Sequence, residues 1–209
     1  TLSAGATLGI TSAYGITLSS TANPSGGNIR VTGTRTYDSA ANYIYNGNVS
    51  QYTGDGLPAT VNILNFNNNG GSIRFLKAHT ITSDFSITSG SLTNLGTFTH
   101  STSFLSLGGE SQPNGSYGGV TSGADFEIPE YFDEATGIIN NNPSTGTWLG
   151  NTSDWDLASN WVGGIPTASS TARVTAYAPN QPVISDITTA AGDILTIDEG
   201  ASLTINGNA

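Results

Sequence analysis

Apolar and polar residues alternate over short stretches of this chain. Thr7-Leu8-Gly9-Ile10, Asn28-Ile29-Arg30-Val31, Ser72-Ile73-Arg74-Phe75, Asp84-Phe85-Ser86-Ile87 and Ser103-Phe104-Leu105-Ser106-Leu107 all show a period near two. With β-branched and aromatic residues at the apolar positions, that period predicts strands with one buried face. Further strands are predicted at Ala172-Arg173-Val174, Gln181-Pro182-Val183-Ile184, Ile194-Leu195-Thr196-Ile197 and Ser202-Leu203-Thr204-Ile205. Helical periodicity is absent from every dozen-residue window. The best helix candidate, Asp154 to Trp161, predicts a single turn.

Some strands recur at a fixed interval. Leu64 and Phe66 are echoed by Phe85 and Ile87, then by Leu105 and Leu107. Steps of about 20 residues are the scale on which a parallel β-helix completes one coil. Asn67-Asn68-Asn69-Gly70-Gly71 reads as a corner of such a coil, where Gly and Asn supply positive φ. An antiparallel β-sandwich also places short strands at short intervals. Periodicity therefore leaves two all-β architectures open, a parallel β-helix or solenoid stack and an antiparallel sandwich. A second echo links Gly5-Ala6-Thr7-Leu8-Gly9-Ile10 to Gly200-Ala201-Ser202-Leu203-Thr204-Ile205, as expected of a piece of a longer array. An uncapped solenoid exposes strand edges and invites stacking with another copy, so a homo-oligomer or filament is expected.

Charge divides the chain. Of 15 acidic residues, twelve follow position 109, while four of the five basic ones precede it. Three regions result: a β-repeat region at 1–107, an acidic Gly-, Pro- and Asn-rich connecting module at 108–146, and a Trp-capped second β-repeat region at 147–209. Only 10% of residues are charged, against about 25% in an average soluble domain. Five scattered cations cannot track a phosphate backbone, which argues against nucleic acid. No apolar run approaches the roughly 20 residues of a membrane span. With no Cys, neither a disulfide framework nor a thiolate metal site can form. With no Met and no charged-then-apolar leader, a mature or excised piece is expected.

Three motifs carry a family resemblance. The first is Tyr43-Ile44-Tyr45-Asn46-Gly47, then Gln51, then Gly56-Leu57-Pro58-Ala59-Thr60-Val61-Asn62 ahead of an Asn-rich strand. The second is Gly115-Ser116-Tyr117-Gly118 with Ser122-Gly123-Ala124, Tyr131-Phe132 and Thr136-Gly137-Ile138-Ile139. The third is Trp148-Leu149-Gly150, Asp154-Trp155, Asn160-Trp161 and Gly164-Ile165-Pro166. In this order they resemble the modules of large repeat-containing, adhesin-like cell-surface proteins of flavobacteria-type bacteria. The resemblance implies β-helical architecture, passage through type IX secretion machinery, and extracellular display at the bacterial surface. It also implies a structural or adhesive role, with surface glycans or other cells as partners.

Candidate chemistry is sparse. His79 and His100 lack any HExxH or comparable spacing and are expected to be solvent-facing or structural. Glu127, Glu130, Asp133 and Glu134 could supply the carboxylate pair of a glycosidase, but no basic residue neighbours them in sequence. Arg74, Lys77 and Arg173 are the available bases for a lyase, and no Asp cluster adjoins them. The expectation is a non-enzyme with no catalytic residue, no cofactor and no dedicated metal site. Weak Ca²⁺ binding is left open at Asp154 and Asp156 and at Asp198-Glu199. Trp155 and Trp161, with Trp148, admit two roles: a sugar-stacking platform, as in a carbohydrate-binding module, or the favoured cap on a β stack. Tyr37, Tyr43, Tyr45 and Tyr52 are expected to close a core. Asp38-Ser39-Ala40 resembles the short O-glycosylation motif of such bacteria, making Ser39 a modification candidate.

Overall fold

The computed structural model describes residues 1–18, 28–29, 34–176, 178–185, 192–198 and 200–206. The first strands are β1 (Thr7–Ile10), β2 (Asn42–Tyr45), β3 (Gln51–Tyr52), β4 (Thr60–Val61), β5 (Ile63–Phe66) and β6 (Ser72–Arg74). Then come β7 (Thr80–Ile87), β8 (Leu92–Asn94), β9 (Thr99–Leu107), β10 (Glu110–Ser111), β11 (Gly115–Gly118), β12 (Phe126–Glu127) and β13 (Ile138–Asn141). The last are β14 (Thr171–Val174), β15 (Val183–Ile184), β16 (Ile194–Ile197) and β17 (Thr204–Ile205). One 3₁₀ turn, Ala158–Asn160, lies inside the segment expected to make a single turn. Of the expected strand at 28–31, Asn28 and Ile29 are not in a strand, and Arg30 and Val31 lie outside the described residues.

The chain is a parallel β-solenoid, which sets the sandwich aside. It splits into two compact units, one of residues 1–108 and 114–142, the other of 109–113 and 143–209. The acidic stretch expected as a separate connector at 108–146 is thus divided, most of it belonging to the first unit. The reason is strand pairing: Ile138 to Asn141 lie parallel to Thr99 to Thr102, so β13 adds a rung to the stack. β11 runs antiparallel to β13.

In the first unit, β1, β2, β5, β7, β9 and β13 pair in that order, all parallel. Tyr43 aligns with Leu64, Leu64 with Phe85, and Phe85 with Leu105. Tyr45, Phe66, Ile87 and Leu107 form the adjacent column. These are the recurrences visible in the sequence, and all eight side chains are buried. Inside, Phe66 meets Tyr45 and Phe85 edge-on at 5.4 and 5.1 Å, the T-shaped geometry that aromatic quadrupoles favour.

A second, three-stranded sheet, β3-β6-β8, forms another wall of the same coils. Its inward column is Gln51, Ile73 and Thr93, with Phe132 bridged to Thr93. Gln51 is 2% exposed. Its amide Nε2 donates to the Ile10 and Ser12 carbonyls at 3.0 Å each, and its Oε1 accepts from Gly47 N–H and Asn68 Nδ2 at 3.0 and 2.9 Å. One side chain therefore satisfies backbone groups of neighbouring coils. It also explains the Gly47…Gln51 spacing, because a Cβ on Gly47 would sit 2.6 Å from Gln51 Cδ.

The Asn-rich corner is where it was expected, but by a different mechanism. Among the described residues positive φ is confined to glycine. Asn68 works instead through its side chain, donating to the Val49 carbonyl and accepting from Gly70 N–H. Gly70 is needed for space, since a Cβ there would collide with the backbone of Asn48.

The second unit repeats the plan. β14 pairs with β16 and β15 with β17, both parallel. Thr147 bridges to Arg173 and Asp154 to Val183, so three layers of chain stack. The echoed segments of the two units turn the same corner: Ala6 N–H bonds to Ser3 O across Gly5, and Ala201 N–H to Asp198 O across Gly200. Both glycines have positive φ, 72° and 84°, the conformation that glycine adopts without steric cost. No helix among the described residues is long and apolar enough to cross a membrane.

Candidate functional site

Trp155 and Trp161 are each 3% exposed and Trp148 is fully buried. Trp161 meets Trp148 and Trp155 edge-on at 4.9 and 4.6 Å, and the cluster packs with Ala172, Val174, Ala178 and Ile184. Trp148 Nε1 donates to Asn180 O and Trp161 Nε1 to Trp155 O. No ring face is left for a sugar, so stacking at Trp155 and Trp161 is corrected to a core role. The burial gain of large aromatic rings explains why the residues sit inside. Asn160, fully buried beside them, donates to Thr152 Oγ1 and Asp154 O and accepts from Thr152 N–H.

His79 and His100 are buried too, at 2% and 1% exposure, not solvent-facing. Their rings stack at 6.1 Å, and Phe75 lies 4.2 Å from His100. His79 Nδ1 is 2.8 Å from Pro58 O and His100 Nε2 is 3.2 Å from Leu95 O. Carbonyls only accept, so these nitrogens carry the protons. His100 Nδ1 accepts the His79 backbone N–H at 3.3 Å. Burial pushes both rings down to about 4, opposed for each by its carbonyl contact; for His79 the His100 and Lys77 charges add to the lowering. Both are therefore neutral core residues at pH 7.

The expected carboxylates serve loops. Glu127 and Glu130 are exposed, and Glu127 accepts from Gly123 N–H. Asp133 accepts from Glu134 N–H and from Asn94 Nδ2. Asp154 accepts from Asp156 N–H. Asp198 forms a two-pronged pair with Arg173, Oδ1 to Nε at 3.1 Å and Oδ2 to Nη2 at 2.8 Å. Glu199 lies outside the described residues. Among the described residues no three His, Asp or Glu side chains converge as a metal ion would need. Ser39 is exposed in the Asp38–Ala41 turn.

The outward column of β3-β6-β8 gathers what the sequence reading missed. Tyr52 aligns with Arg74 and Arg74 with Asn94. The Thr93–Phe132 bridge sets Asp133 beside Asn94 on the next layer, joined at 3.1 Å. The four side chains, with Ser50 and Ser72, line a surface groove of about 270 Å³. Tyr52 is 43% exposed, against the expectation that it closes a core, while its buried relatives Tyr43 and Tyr45 do so. Alternation explains the difference: polar Gln51 takes the inward position, so Tyr52 must face out. The Arg74 guanidinium has no hydrogen-bond or ion-pair partner among the described residues. Comparison with protein-family models, curated proteins and solved structures returns no match.

Proposed function

We propose that this chain is a structural and adhesive repeat segment of a secreted bacterial cell-surface protein. Its work is display: a stacked coil holds loops and one polar wall outward while its interior stays closed. The observation that carries this reading is the buried inward columns of β2, β5, β7 and β9 in the first unit, with even the two histidines and Gln51 sealed among packed side chains. Each coil rests mainly on its neighbours, so the architecture adds length by repetition. The three sequence motifs support export through type IX machinery and an extracellular location. The chain acts without chemistry, and Ser39, exposed on a corner, is a modification site of the exported form.

End-to-end association belongs to the same proposal. Ile194, Leu195, Ile197 and Ile205 of β16 and β17 are 56%, 47%, 44% and 60% exposed. An apolar strand edge of that kind favours pairing with another chain. Native mass spectrometry and electron microscopy of the purified chain test it; concentration-dependent multimers are expected, and a strict monomer at high concentration contradicts it. Limited proteolysis with subtilisin tests the closed interior of each unit. Each unit should survive as a protected fragment, and rapid degradation to small peptides contradicts the reading.

A further inference from the structure

We propose that the outward column Tyr52–Arg74–Asn94–Asp133 binds an acidic glycan, a polysaccharide in which uronate-bearing rings alternate with neutral ones. The proposal deepens the adhesive half of the function above and rests on it. It does not depend on end-to-end assembly.

First, the column is regular. Parallel neighbours stand about 4.8 Å apart, so Tyr52, Arg74, Asn94 and Asp133 present one group per layer along the groove. A ladder of that pitch fits a polymer of repeated rings lying along the stack. Second, the groups divide the work by chemistry. The exposed Tyr52 ring offers a flat apolar face to a sugar ring. The Arg74 fork suits a carboxylate, which it can grip with two parallel N–H donors. Asp133 accepts from hydroxyl donors, and Asn94 Nδ2 already holds its Oδ2 in place at 3.1 Å. Third, the charge pattern selects the ligand. Arg74 faces the groove without a partner among the described residues, in a chain of 15 acidic and five basic residues. Two layers away Asp133 repels a second anion, and the chain's net charge of −10 disfavours a uniformly charged polyanion. One anionic ring followed by a neutral, hydroxyl-rich one satisfies both ends of the column.

Hyaluronan oligosaccharides, which alternate a uronate with a neutral amide sugar, are the probe, measured by isothermal titration calorimetry on the full chain. Saturable binding is expected, with dextran at least tenfold weaker. Arg74→Gln and Tyr52→Ala should each weaken binding at least tenfold, and Arg74→Lys should fall between, because it keeps the charge and loses the fork. Both positions face solvent, so thermal melts should match wild type; Tyr52→Leu replaces Tyr52→Ala if that variant melts early. No saturable hyaluronan binding overturns the proposal, as do wild-type affinities in Arg74→Gln and Tyr52→Ala. Equal affinity for polyglutamate also overturns it, since charge alone would then suffice. A chain that resists subtilisin yet fails to bind removes this site and leaves the display reading standing.

Discussion

Acidification from pH 7.5 to pH 5 should weaken the first unit through its two buried histidines. His79 and His100 sit in the folded chain at about 4, below the ordinary 6.5. Between those values the unfolded chain binds more protons than the folded one, so stability falls as pH drops. The contribution is complete above pH 6.5, is lost progressively through the window, and levels off below pH 4. Each ring costs about 2 kcal/mol by pH 5, from roughly 1.4 kcal/mol per pH unit over the titrated span. The pair together costs about 4 kcal/mol, a large share of the roughly 5–15 kcal/mol that holds a typical domain together. The slope is read from pH 5 to 6.5, inside the span between the folded and the ordinary imidazole values. Urea melts followed by circular dichroism at half-unit pH steps give the slope. In His79→Gln/His100→Gln, whose amides do not titrate, the slope over that window should vanish. A wild-type stability flat from pH 7.5 to 5, or an unchanged slope in the double variant, refutes the reasoning.

Three further substitutions probe the packing. Gln51→Ala removes four hydrogen bonds and leaves buried backbone groups without partners; a loss of roughly 3–4 kcal/mol is expected in urea melts. Gly70→Ala drives a methyl group into the Asn48 backbone and should cost about 1–3 kcal/mol, whereas Gly9→Ala, with only Asn46 Oδ1 within 4 Å, should change stability by less than about 0.5 kcal/mol. Trp161→Ala empties the centre of the second unit's aromatic cluster and should cost about 3–5 kcal/mol, without the selective loss of glycan affinity expected for Tyr52→Ala.

The coil was legible in the sequence because its repeat is written in large residues. Leu64, Phe85 and Leu105 recur at nearly one interval, and the structure stacks them in register. What periodicity could not choose was parallel against antiparallel pairing, since both use the same alternation. Which face points inward is also ambiguous wherever polar residues take inward places. His100 lies two residues from Thr102 in β9, and both are buried. Gln51 and Tyr52 reverse the usual assignment, because a buried amide can join two coils and a tyrosine at the next position must then face out. The groove was invisible for a further reason. Tyr52, Arg74, Asn94 and Asp133 are separated by 22, 20 and 39 residues, and only the register makes them neighbours. The corner at 67–71 was found by composition, but its physics is side-chain hydrogen bonding at Asn68 and lack of a Cβ at Gly70, not positive φ.

The stacking register itself can be measured directly, because the chain contains no cysteine. Thr80 and Ser101 are aligned neighbours on adjacent coils, their hydroxyl oxygens 3.3 Å apart. In Thr80→Cys/Ser101→Cys the two thiols should close a disulfide under mild oxidation, read as an intramolecular crosslink in a peptide mass map. In Thr80→Cys/Thr99→Cys the second thiol lies two residues along the same strand, beyond the roughly 7 Å limit on Cα separation, and no bridge should form. A crosslink in the first pair and none in the second is the result a coil with this register requires. The reverse pattern, or free thiols in both, contradicts it.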